Sequence, residues 1–82
     1  MANDDDISTL DLTPIGDLAY LVARRVPEDL RKARALQTHT EMIGVLRKSA
    51  FDLQRELAQR GWSEAQANAI GVGYYGALRE RL

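Results

Sequence analysis

The sequence predicts an all-α protein: three helices, the central one long, assembled as an antiparallel helical bundle from two copies of the chain. Three observations lead there. No stretch alternates apolar and polar residues with the period of two that a half-buried strand needs. Helix start and stop signals recur, at Thr13-Pro14, at Val26-Pro27 and across Arg60-Gly61-Trp62-Ser63. Between Leu36 and Leu57, apolar residues return at alternating steps of three and four, the spacing of one helix face.

Residues 1–12 are read as an acidic, flexible leader, and residues 13–82 as one helical domain. The leader holds Asp4, Asp5, Asp6 and Asp11 and no base, so an overall net charge of -1 divides into -4 on the leader and +3 on the rest. Such a run is expected to be a solvated tail. Ile7, Leu10 and Leu12 offer the alternative of a short docking arm.

The first helix is expected from Pro14 to about Arg25. Thr13 supplies a capping oxygen, and the proline ring pre-sets φ for the first turn. Ile15, Leu18 and Val22 share one face. Val26-Pro27 is expected to end this helix, because the residue before proline is pushed out of the helical region. Pro27 then opens the second, with Glu28 and Asp29 in its first turn, where the helix dipole favours acids. The next strong breaker is Gly61, so the central helix is expected to run over about 28–60. Whether it continues through Gly44 is left open. Arg60-Gly61 has the form of a helix C-terminus. Ser63 with Gln66 forms a capping box for a third helix reaching toward the C-terminus.

Leu36, His39, Ile43, Leu46, Ala50, Leu53 and Leu57 form an a/d-type seam on the central helix. A helix over 28–60 would be about 50 Å long, against a diameter of roughly 30 Å for a compact chain of this size. The shorter helices cannot cover Met42, Val45 and Phe51 beside the seam as well. The seam is therefore expected to be a coiled-coil-like homodimer interface, two-fold association being the commonest solution. His39 is expected to set register there rather than to catalyse.

Several function classes are excluded or disfavoured. There are no cysteines, which removes disulfides and thiolate-bound metals. One histidine cannot build the usual multi-histidine metal site. No serine or threonine sits in a nucleophile motif, so the expectation is a protein that is not an enzyme and needs no cofactor. The start MANDDDIST has no basic n-region and no apolar h-region. No run approaches the roughly 20 apolar residues that span a bilayer. The expected location is therefore cytoplasmic, with no membrane partner.

Gly71-Val72-Gly73-Tyr74-Tyr75-Gly76 is a literal G-x-G-x-x-G. A dinucleotide fingerprint needs a strand before it, a helix after it and an acid about twenty residues on. This one follows a capped helix start, and only six residues come after Gly76. Ala69, Gly73, Gly76 and Ala77 are instead read as a small-residue strip against which the central helix or a second copy packs, with a kink at 71–73 left open, so that Gly73→Leu should disrupt packing.

The function expected from these features is protein–protein interaction. The protein would be a dimeric adaptor or regulator, for example an inhibitor of another regulatory protein, with itself and an unidentified protein as partners. Trp62, Tyr74 and Tyr75 are the candidate partner-binding residues, since aromatic side chains dominate interface energetics. The alternative is a nucleic-acid-associated regulator, with Arg24, Arg25, Arg31, Lys32 and Arg34 as anion contacts. Glu28 and Asp29 inside that cluster, and the lack of interleaved aromatics for base stacking, make it the weaker reading.

Overall fold

The computed structural model describes residues 13–82; the acidic leader, with Ile7, Leu10 and Leu12, lies outside the described residues. The described residues form three α-helices and no strand: α1 (Thr13–Arg34), α2 (His39–Gln59) and α3 (Glu64–Glu80). The helix count matches the sequence reading, but the boundary between the first two helices does not.

α1 runs straight through Val26-Pro27 to Arg34. Pro27 has no N–H to donate to the carbonyl of Ala23, and an interior proline costs about 3 kcal/mol. The helix continues because the turn after the proline is anchored: Asp29, Leu30 and Ala33 are all buried. The burial of these side chains outweighs the local preference, so the expected stop at residue 26 is corrected to residue 34.

The break falls instead at residues 35–38. α1 tightens at its end, with the N–H of Leu36 donating to the carbonyl of Ala33 at 3.1 Å. Thr38 then caps α2: its Oγ1 accepts from the N–H of Glu41 at 3.2 Å and its hydroxyl donates to the Glu41 carboxylate at 2.7 Å. The expected continuous helix over 28–60 is therefore two helices. Gly44 lies inside α2 without interrupting it.

The turn between α2 and α3 agrees with the sequence. Gly61 has φ +100°, a left-handed conformation that glycine adopts without a Cβ clash. The N–H of Trp62 donates to the carbonyl of Leu57, and that of Gly61 to the carbonyl of Ala58, both at 3.1 Å. This pair of bonds is a Schellman closure, which satisfies the last carbonyls of α2. Ser63 and Gln66 exchange both bonds of the capping box at 3.1 Å. α3 then passes through all three glycines of the 71–76 motif as regular helix.

The core is built where the three helices meet. Leu46, Leu53 and Leu57 of α2 are fully buried, together with Ala50, against Leu30 and Ala33 of α1 and Ala67, Tyr74 and Leu78 of α3. α2 packs against both other helices. Polar ties also fix α1 to this frame. The Arg25 guanidinium reaches Glu56 of α2 at 3.1 Å, and Arg34 donates to the carbonyl of Arg81 at 2.8 Å. Glu56 also receives Arg60 at 3.0 Å. The hydrogen bond from Arg25, supported by the one from Arg60, holds the Glu56 carboxyl below its usual range against the effect of burial.

Candidate functional site

The side of the α2–α3 pair that α1 does not line is open and apolar. Phe51 on α2 and Val72 on α3 are each 62% exposed, flanking a groove of about 350 Å³ floored by Ala50, Gly71 and Tyr75. Burying a Phe or Val side chain fully is worth about 1.5–3 kcal/mol, a gain the chain by itself leaves unmade here. Gln54 crosses the groove, donating to Asn68 Oδ1 at 3.1 Å. Its side chain lies over Gly71, where a Cβ would stand 2.5 Å from Gln54 Cγ. Gly71 is thus the glycine of the motif that is close-packed, and what it admits is a side chain from α2.

Arg47 lines the groove, and further bases stand near it. Helical neighbours lie three and four residues apart, and those of Phe51 include Arg47, Lys48 and Arg55. On α3, Arg79 stands four residues after Tyr75 and seven after Val72. All four bases are exposed, and the ion pairs found among the described residues use Arg25, Lys32 and Arg60 instead. The acids of α2 behave oppositely: Asp52 and Glu56 line the cleft facing α1. Glu64 is the acid on the groove's side, at the first turn of α3, where a helix N-terminus favours it.

The seam residues are placed differently from the expectation. Leu46, Ala50, Leu53 and Leu57 are covered by α1 and α3 of the same chain, the cover that a second copy was expected to supply. The physical reason is the break at residues 35–38, which lets α1 fold back onto α2 and supply the cover that a partner was invoked to provide. Leu36 and Ile43 are half-buried. His39 is exposed at the first residue of α2 and lines no seam.

Of the three aromatic partner candidates, Tyr74 is corrected to the core. It is 6% exposed, and its hydroxyl donates to Asp29 Oδ2 at 2.6 Å. Burial, reinforced by that bond to a carboxylate, drives the Tyr74 pKa far above its ordinary value. Trp62 is half-buried against the core beside the α2–α3 turn. Tyr75 is half-buried in the groove, its hydroxyl enclosed and without a hydrogen-bond partner among the described residues.

The basic cluster on α1 is largely engaged. Arg25 pairs with Glu56, Lys32 with Glu28 at 3.2 Å, and Arg34 with the α3 terminus. Arg24 lies 5.6 Å from the Tyr20 ring centroid, a cation–π contact. Arg31 is exposed. The five bases therefore do not form one free phosphate-binding patch. Gly73 and Gly76 are exposed, with open space around a built Cβ. Among the described residues nothing packs on the expected strip at Gly73 or Gly76, so α2 is not the backbone that approaches it there.

The expectation that the shorter helices leave Phe51 uncovered agrees with its exposure, whereas Val72 is read in the sequence only within the glycine motif. The signal was present in the cations three and four residues from Phe51, which mark a solvent-facing side.

Among the described residues, no group of three or more His, Asp or Glu side chains is arranged to hold a metal ion. No helix is long and apolar enough to cross a membrane. No family model, curated protein or solved structure matches the chain.

Proposed function

We propose that this protein is a small, non-enzymatic helical module that works by binding another protein through the α2–α3 groove, as an adaptor or regulator. The observation that carries this reading is the pair Phe51 and Val72, both 62% exposed across an apolar groove on two rigid helices. Exposed apolar patches rimmed by polar residues are the usual mark of an interaction surface, and aromatic anchors set in pockets supply most interface energy. Leu46, Ala50, Leu53 and Leu57 of the expected seam are covered within the chain, which leaves this groove as the apolar surface open to a partner.

The nucleic-acid alternative draws less support, because Arg25, Lys32 and Arg34 are tied within the chain. The test is a paired affinity capture with wild-type protein and Phe51→Ser/Val72→Ser. A protein captured by the wild type and lost with the variant, at unchanged helicity, supports the reading. Identical captures contradict it.

A further inference from the structure

We infer that the occupant of the α2–α3 groove is an acidic amphipathic helix of another protein; this rests on the protein-binding reading above and assigns the partner's chemistry. Charge is the first argument. Phe51 has Arg47, Lys48 and Arg55 as helical neighbours, and Arg79 extends the same side of α3. None takes part in an ion pair among the described residues. Arg47 on the groove wall, with Arg55 and Arg79 exposed beside it and Glu64 as the one acid on that side, leaves the apolar floor in a net positive surround among the described residues, complementary to carboxylates flanking an apolar stripe. A second copy presents the same bases, and like charges facing one another oppose that pairing.

Shape is the second argument. The groove follows the junction of two helices, and its walls are carried along the helix axes, the form into which a helix lays one face. Gly44, seven residues before Phe51, and Gly76, four after Val72, continue the same sides of α2 and α3, with open space around each. The missing side chains leave room for a partner backbone to lie close above the groove. The floor of Ala50, Gly71 and Tyr75 between Phe51 and Val72 offers side-chain knobs an apolar seat, and the Gln54 amide that crosses it is already bonded to Asn68, which favours an apolar helix face over base edges.

From Gly44 to Ala58 the groove side of α2 extends about 21 Å, so a peptide of about 16 residues spans it. The experiment titrates full-length, 15N-labelled protein with three probes at about 50 mM salt. These are a helical peptide of that length with a leucine stripe flanked by Glu, the same peptide with Lys for Glu, and an oligothymidine.

The expected result is saturable binding of the Glu peptide, with shifts confined to Arg47, Phe51, Gln54, Val72 and Tyr75. The affinity should fall at least about tenfold for the Lys peptide and for Phe51→Ser, or about 1.4 kcal/mol. In Arg47→Glu/Arg55→Glu the preference should invert. Equal binding of the Lys peptide in the groove overturns the inference while leaving a protein-binding groove in place. So does a dimer by sedimentation that Phe51→Ser abolishes. Absence of saturable Glu-peptide binding overturns the inference as well. Oligothymidine bound at Phe51, or peptide shifts outside the groove, overturn it together with the protein-binding reading.

Discussion

The Tyr74 hydroxyl donates to the Asp29 carboxylate at 2.6 Å, joining α3 to α1 across 45 residues of sequence inside the core. Its neighbour Tyr75, one position along the same helix, has an equally enclosed hydroxyl with no hydrogen-bond partner among the described residues. Adjacent tyrosines thus play opposite roles. Tyr74→Phe leaves a buried carboxylate short of a donor, and hydrogen bonds to charged groups are worth about 1.5–3 kcal/mol. Tyr75→Phe removes a group that gains nothing from burial. Urea denaturation should show Tyr74→Phe destabilised by about 1.5–3 kcal/mol and Tyr75→Phe unchanged or more stable. Equal losses would contradict the assignment.

Burial of the Tyr74 hydroxyl, together with this bond, sets an alkaline limit. A tyrosine whose pKa is raised in the folded state stabilises the fold below its unfolded pKa of 10.0 and loses that contribution as pH rises toward the folded value. Above pH 10 the unfolded chain releases the Tyr74 proton while the folded chain keeps it. Stability should therefore fall more steeply above pH 10 in the wild type than in Tyr74→Phe, by up to about 1.4 kcal/mol per pH unit. Parallel profiles for the two proteins would show that the hydroxyl does not carry the linkage.

The glycines of α3 separate in the same way. Gly73 has open space where a Cβ would go, whereas a Cβ at Gly71 meets Gln54. Gly73→Ala should stabilise the protein by about 0.5–1 kcal/mol through helix propensity. Gly71→Ala should gain less, because it displaces Gln54 from its hydrogen bond to Asn68. Thermal melts of the two variants give the comparison, and a larger gain for Gly71→Ala would reverse the packing assignment.

Thr38 is the residue that divides what was read as one helix into two. Removing its side chain takes away the α2 cap, so Thr38→Ala should cost about 0.5–2 kcal/mol. Thr38→Ser should retain most of the stability, since the hydroxyl is the group that both accepts from and donates to Glu41. A Thr38→Ser loss as large as that of Thr38→Ala would assign the effect to packing.

The parts of the fold legible in the sequence are those set by local chemistry. Gly61 with Ser63 and Gln66 fixes the α2–α3 turn through backbone conformation and capping bonds within six residues. Pro27 misled because its local penalty is answered by burial of Leu30 and Ala33 against residues distant in sequence. The true boundary did carry a local mark, the Thr38–Glu41 spacing of a helix start, which the continuous apolar stripe from Leu36 obscured. That stripe is real, and from Leu46 to Leu57 it is covered by α1 and α3. The groove was harder to read, since an apolar residue on a helix is exposed or buried according to tertiary arrangement, and only its charged neighbours betray the difference.

The central claim is that Phe51 marks the face by which this protein holds another. A photoreactive phenylalanine analogue at position 51, with Tyr20 as a control of similar exposure (66%) on α1, tests it most directly in the native cell. The account predicts a discrete adduct with a different protein from position 51 and none from position 20. Adducts only with nucleic acid or with the same chain, or equal labelling from both positions, would contradict it.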